Sequence, residues 1–473
     1  MSQTIILFLI LIFSSLGCKP KLDSSLLAEG SDLPTGEVRA IWLTHHDFLG
    51  KSESELNQLI QNLKLANINM VYLSVYSKGY TFWPSPTMKA AGGDTTHLPW
   101  AQNMLKLLHQ NGFWVGAWFE YGLAGGRASN KIVKAHPEWY QRSFAGKAES
   151  PENNGFYFFS PSDTQVQKFI CSLLSEVAKM GFDEVQLDRF RWTASSPKVA
   201  TDFGYEDATR LAFLKKYGHP PNFKPKLDDP AWKAWRKSAL NQMVKMASNA
   251  IRKVNPKIIV SASPVGYYGV HHFLQDWTIW LKESYLDAVY PQMYAHSVKE
   301  FAVHLIKIQT LMKNSGISNR TKLRRVGAGI LVNGTSSQTT ENSYIDMARR
   351  AGFHDFSLWV YNLKSNKSAM NAPLARFASQ VRLWKSLGVN PWNRNVKYSE
   401  PQRPNQQTVT PETPEASETP ATPGTPGTPA TPGTPGTPGT PVMTETSEAA
   451  DSTAPEQPEN QDSDIDVPID SKL

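Results

Sequence analysis

A chain of 473 residues with only two cysteines excludes a disulfide framework and a cysteine-built metal site, and its length suits two or three ordinary domains or one large barrel with appendages. Its 14 Trp, 16 Tyr and 21 Phe supply a core and, where they cluster at strand ends, flat platforms that stack on rings. The charge of +7 is uneven: residues 404–473 hold 12 acidic side chains against one Lys, a net −11, so the remainder carries +18 and favours anionic surfaces.

Residues 5–13 form an unbroken apolar run, followed by Ser14, Ser15, Leu16, Gly17 and Cys18. The run is too short to span a bilayer as a helix and has the shape of a signal-peptide core with small residues before a cut. The ending "SLGC" is similar to a bacterial lipobox, which implies removal of residues 1–17, lipidation of Cys18 and a membrane-anchored envelope lipoprotein; an ordinary cleaved signal peptide is the alternative. Either way an exported protein is expected, and nucleic acid is not an expected partner. Residues 18–36 then serve as a linker. Cys171, in the apolar helical stretch "KFICSLLSEV", reads as a buried thiol.

Between residues 37 and 398 strand-like and helical patterns alternate. The strand-like runs are residues 38–48, 69–77, 113–122, 182–190, 257–264, 286–294, 325–332 and 355–363. Helical stretches between them include 54–66, 100–111, 166–180, 231–254, 298–313, 340–351 and 373–387. Eight β-then-α units predict an α/β fold, a (β/α)8 TIM-like barrel. No GxGxxG or GxxxxGK follows a strand, which argues against a nucleotide site.

Alternate residues of a strand face opposite sides, so parity predicts what enters the lumen. In "DEVQLD", Val185 and Leu187 share one face while Gln186 and Asp188 share the other. Apolar sets such as Val71, Leu73, Val75 and Val115, Ala117, Phe119 are expected under the helices. The polar and aromatic sets are expected in the barrel. Its C-terminal mouth, where such barrels keep their active sites, then holds Asp188, Glu120, Tyr76, Trp118, Gln292, Tyr294, Trp359 and Tyr361.

These residues carry a resemblance. "RAIWLT", "AWFEYGL" followed by "AHPEWY", "GFDEVQLDRFRW", "VSASPVGYY" and "DAVYPQMY", in this order, resemble the glycosyl-hydrolase-like 10 family of bacterial envelope proteins. The resemblance spans roughly residues 37–387 and implies a TIM-like barrel and glycoside hydrolysis. It also implies a polysaccharide substrate, plausibly peptidoglycan glycan strands stripped of their peptides. Many members carry Asp-Asp where this chain has Asp188-Arg189, so a role for that second carboxylate does not carry over.

Glycoside hydrolysis needs one carboxylic acid to protonate the departing oxygen and one carboxylate as nucleophile or base. Asp188 and Glu120, on adjacent strands, are the expected pair. Arg189 and Arg191 beside Asp188 predict a depressed pKa and an ionised partner's role; the aromatic neighbours of Glu120 predict a raised pKa and acid work. The reverse assignment also stands. Asp47 has two equal readings, a third carboxylate at the substrate or a cap for the helix starting near Ser52. Gln292, Tyr294, Arg189 and Arg191 suit sugar hydroxyls or developing charge, and Tyr76, Trp118, Trp359 and Tyr361 suit stacking. The adjacent pairs His45-His46 and His271-His272 each offer one inward ligand at most, so no metal and no cofactor is expected. A non-catalytic carbohydrate-binding or scaffold protein on the same barrel is the alternative function.

From residue 399 the chain changes material. Seven [Ala/Gly]-Thr-Pro triplets in residues 421–441 and the acidic end after them predict an extended, disordered tail.

Overall fold

The structure is a computed structural model that describes residues 38–66, 68–196, 198–317, 326–332, 338–353 and 355–360. The lipidation candidate Cys18, Tyr361, the helix expected at 373–387 and the tail lie outside these residues.

Eight strands form the frame: β1 (Arg39–Leu43), β2 (Met70–Ser77), β3 (Trp114–Phe119), β4 (Glu184–Asp188), β5 (Ile259–Ser263), β6 (Ala288–Val289), β7 (Ala328–Val332) and β8 (Phe356–Val360). They pair in parallel in the order β6-β5-β4-β3-β2-β1-β8-β7. The ends of that curled sheet meet. Val289 bridges Val326, Gln292 bridges Gly329, and Gly329 N donates to Pro291 O at 3.0 Å while Met293 N donates to Gly329 O at 2.8 Å. β6 is short because Pro291 has no N–H to give the ladder. Glycines at and just before β7 let the seam close: a Cβ on Gly329 would lie 2.9 Å from Pro291 O, and one on Gly327, which precedes the strand, would lie 2.5 Å from the Tyr290 ring.

Helices α1 (Glu53–Leu65), α2 (Trp100–Gln110), α3 (Thr164–Ala178), α4 (Asp207–Tyr217), α5 (Pro230–Val254), α6 (Val298–Asn314) and α7 (Gln338–Arg350) fill the connections. Their starts follow capping chemistry. Ser52 and Glu55 form a reciprocal box at α1, Asp163 caps α3, and Asp229 caps α5 with Pro230 as first residue. Helix α4 was not expected from the sequence; its apolar residues show no clear stripe, and it packs on α5 through Phe213, Leu214 and Trp232.

Strand parity sorts the core as expected. Ile41, Val71, Leu73, Val115, Ala117, Val185, Leu187, Val260 and Ile330 belong to the outer cluster under the helices. Trp42, Met70, Tyr72, Trp118 and Tyr290 form a separate cluster inside the barrel. Each fully buried Val or Leu contributes about 1.5–3 kcal/mol of apolar transfer, so a one-residue slip of any strand would invert a large part of the core.

One strand breaks parity. The β2–β3 register shifts between Ser74 and Tyr76, a bulge that places both Val75 and Tyr76 in the outer cluster. Tyr76 therefore leaves the mouth that alternation assigns it. Its ring stacks on Phe119 at 5.4 Å and its hydroxyl donates to Ala124 O at 2.7 Å.

A second, antiparallel sheet built from Ala124–Gly126, Glu149–Ser150 and Phe156–Phe158 occupies the connection between β3 and α3. It matters below because Phe158 and the adjoining Asn153 meet Arg191, just past β4, while Phe156 meets Lys78, just past β2.

Candidate active site

Strand β4 sends three polar side chains into the lumen, and an aromatic donor meets each. Tyr72 Oη donates to Glu184 Oε1 at 2.9 Å, Trp42 Nε1 to Gln186 Oε1 at 2.6 Å, and Trp118 Nε1 to Asp188 Oδ2 at 3.2 Å. Gln186 Nε2 passes on to Ser261 Oγ at 3.2 Å on β5. The lumen floor is thus a closed network of buried partners, and Asp188 is its uppermost tier. Glu184 escaped the sequence reading; the alternation that placed Gln186 and Asp188 inside also places Glu184 there.

Asp188 is 5 % exposed. Besides Trp118, it accepts from the Arg189 backbone N at 2.7 Å and from Gln292 Nε2 at 3.2 Å, and Gln292 also donates to Ser263 O at 3.2 Å. The Arg189 amide reaches back because Arg189 adopts φ +50°, a left-handed conformation costing a non-glycine residue on the order of 1–3 kcal/mol. Burial pushes Asp188 up to about 7, against the downward pull of Arg189, Arg191, the Arg189 amide and Trp118. This corrects the expectation of a depressed pKa. The arginines do pull the carboxyl down, but taking it out of water outweighs them. Asp188 is consequently poised between its two protonation states near neutral pH.

Glu120 follows β3 and is 3 % exposed. Ser74 Oγ, on the lumen face of β2, donates to its Oε2 at 3.2 Å, and its backbone N donates to Tyr76 O at 3.0 Å. The Arg189 guanidinium lies in the field of Asp188 and Glu120 together. Tyr294 joins the same group: burial first and Asp188 second push its hydroxyl well above the ordinary tyrosine range.

The aromatic candidates divide. Trp118 is 2 % exposed and packs on Trp42 and Trp359, with ring centres 6.2 and 5.5 Å away, so its role is to position Asp188 rather than offer an open face. Trp359 is half-buried and meets both neighbours edge-on, which leaves it as the available platform.

Asp47 turns inward to its own loop. β1 ends at Leu43, and His45–Asp47 form a 3-10 turn whose first amide, Thr44 N, donates to Asp47 Oδ2 at 2.8 Å. Asp47 thus closes this turn, and Ser52, not Asp47, caps α1, which corrects the helix-cap reading. The turn also takes His45 out of strand register and stacks it on Phe82 at 4.9 Å.

Arg191 is 1 % exposed, stacked 4.0 Å from the centre of Phe273, and donates to Asn153 Oδ1. Tyr121, missed from sequence, carries the Arg189 guanidinium 3.8 Å and Lys78 Nζ 4.9 Å from its ring centre. Only the folded loops bring Asn153, Phe273 and Lys78 to this place.

A closed α/β barrel with buried carboxyl groups at the C-terminal strand ends is the architecture of TIM-barrel glycosidases. The chain belongs to the glycosyl hydrolase-like 10 family, whose model matches residues 37–343. Solved structures agree in fold. The catalytic domain of β-amylase from Paenibacillus polymyxa aligns with TM-score 0.53 at 12 % identity, over 73 % of this chain and 98 % of that one. α-L-Fucosidase isoenzyme 2 from Paenibacillus thiaminolyticus gives 0.51 at 13 %, over 75 % and 50 %. β-Galactosidase from the psychrophilic Marinomonas ef1 gives 0.51 at 12 %, over 74 % and 60 %. The chain therefore spans half of the fucosidase and about three-fifths of the galactosidase. None of the curated proteins matches.

Proposed function

We propose that the protein is an exported glycoside hydrolase, held at the membrane through Cys18, that cleaves envelope polysaccharide by two-carboxylate chemistry, with peptide-free peptidoglycan glycan strands as substrate. The observation that carries this reading is Asp188: a buried carboxyl at the end of β4, brought up to about 7, with Glu120 just past the end of the neighbouring β3. The N-terminal apolar run and "SLGC" support export and anchoring.

Asp188 is the general acid in this mechanism. At neutral pH a large fraction of it holds a proton, which it gives to the departing glycosidic oxygen as the bond breaks. Glu120, in the field of Arg189, takes the partner's part as nucleophile or water-activating base. This reverses the roles expected from the neighbours in sequence, because burial at Asp188 counts for more than adjacent arginines. Gln292 and Trp118 hold the Asp188 oxygens through their N–H donors, and Trp359 offers a face to a sugar ring.

The test is release of soluble sugars from peptide-free sacculi by the full chain and by Asp188→Asn and Glu120→Gln. Each variant is expected to lose at least ~100-fold in rate, the usual scale for a positioned acid or base. Near-normal turnover in either removes that residue from the chemistry. Binding without release in the wild type replaces the hydrolase with a carbohydrate-binding scaffold. The anomer first formed distinguishes retaining from inverting chemistry.

A further inference from the structure

Past β4 and Arg189 the chain runs through four buried residues, Phe190, Arg191, Trp192 and Thr193, without entering a helix or strand. Their backbone groups lie in no ladder, so each must find its partner elsewhere. Two glutamine side chains from other loops take up Phe190 O, Arg191 O and Thr193 N. Gln275, in the connection after β5, donates through Nε2 to Phe190 O at 3.3 Å and accepts from Val265 N at 3.1 Å. Gln141, in the connection between β3 and α3, donates to Arg191 O at 3.2 Å and to Phe159 O at 3.0 Å, and its Oε1 accepts from Thr193 N at 3.0 Å. Both side chains are buried. A backbone N–H only donates and a carbonyl only accepts, so each amide has one orientation that satisfies its site.

The segment they grip follows directly on the left-handed residue. Arg189 at φ +50° is strained for a residue with a Cβ, and such backbone persists only where its surroundings over-determine it. On the near side Gly122 N donates to Asp188 O at 3.0 Å, in a crossing so close that a Cβ on Gly122 would lie 2.2 Å from the Phe190 ring. On the far side stand the two glutamines. Held at both ends, the turn keeps Arg189 N 2.7 Å from Asp188 Oδ1.

We infer that Gln141 and Gln275 are positioning residues that clamp the Arg189 turn from two separate loops and so keep its amide on the Asp188 carboxylate. The inference rests on Asp188 as the acid and adds the residues that set its proton affinity. The charged and titratable groups around Asp188 are Arg189 and Arg191 on its own segment, Glu120 and Tyr121 past β3, Tyr268 past β5 and Tyr294 past β6. Methionine in place of either glutamine keeps all of them and changes no charge, so its effect on Asp188 travels through the turn. The Arg189 guanidinium and amide both pull the carboxyl down, and releasing the turn therefore moves its titration up.

Carboxyl 13C NMR of the full chain labelled at aspartate follows that titration without substrate, with the Asp188 signal assigned by its loss in Asp188→Asn. Gln141→Met and Gln275→Met are each expected to raise the Asp188 midpoint by about one pH unit, a tenfold gain in proton affinity, the scale of one weakened hydrogen bond to a charged group. The alkaline limb of the pH–rate profile for sugar release is expected to move with it. Tyr76→Phe, which loosens the core away from the clamp, is expected to leave the midpoint in place. If the methionine variants do not fold, Gln275→Asn, which keeps the amide but draws it back by one carbon, is read the same way. A midpoint that stays or falls in the folded variants overturns the clamp. A raised midpoint where the wild type releases no sugar keeps the clamp and removes the hydrolase; sugar release with an unmoved midpoint does the reverse.

Discussion

Replacing Asp188 by Asn is expected to stabilise the protein at alkaline pH while abolishing its acid chemistry. In the unfolded chain the carboxyl titrates near 3.8; in the folded protein it titrates near 7. Below about pH 4 it is protonated in both states and imposes no penalty. As pH rises from 4 to 7 the unfolded state releases the proton first, so folding becomes progressively less favourable, and above 7 the penalty is complete. At about 1.4 kcal/mol per pH unit, the gap between 3.8 and about 7 is worth on the order of 4 kcal/mol. Asn carries no such charge. Urea unfolding of both proteins at pH 4 and pH 8 isolates the effect, because hydrogen-bond changes that do not depend on pH cancel in the difference. The variant is expected to gain about 4 kcal/mol on the wild type between the two pH values. A difference that stays flat, or one that favours the wild type as pH rises, would refute the claim that burial outweighs Arg189 and Arg191.

Sugar release is expected to fall as pH rises through about 7, since the acid must hold its proton; Trp118→Phe, which removes a donor to the Asp188 carboxylate, is expected to move that alkaline limb to higher pH in a pH–rate profile. Tyr76→Phe loses the bonds to Ala124 O and from Gly79 N, and a drop of about 1–3 kcal/mol in urea unfolding with an unchanged KM would place Tyr76 in the core and not at the substrate. Cys18→Ser is expected to move the protein from the detergent phase to the aqueous phase in phase partitioning of bacterial membranes; retention in the detergent phase would set aside the lipid anchor.

Strand order and facing were legible because a barrel strand buried on both sides still separates two kinds of side chain. "DEVQLD" placed Gln186 and Asp188 inward, and the structure puts Trp42 and Trp118 against them. Tyr76 was misplaced because alternation assumes an unbroken ladder, and nothing within "MVYLSVYS" announces the bulge after Ser74. The end of β1 was misplaced because "THHDF" reads on as strand, while Thr44 and Asp47 close a turn across three residues and Ser52 takes the cap of α1. The Asp188 pKa was misjudged for a different reason. Neighbouring charges are written in the sequence, but depth below the surface is not. The partners of Arg191 come from loops 38 and 82 residues away in either direction (Asn153 and Phe273), a juxtaposition that only the closed ring creates.

The left-handed turn at Arg189 bears on how such a barrel diversifies. Among residues with a Cβ, Asn and Asp enter this backbone conformation with the least difficulty, because their short side chains bond locally. Related sequences that carry Asp after the strand-ending Asp can therefore share this backbone trace without remodelling. One position beside the buried Asp188 carboxyl suits either sign of charge on a fixed backbone. An acid in place of Arg189 would reverse the charge beside Asp188 while strand β4 and its lumen network stay as they are.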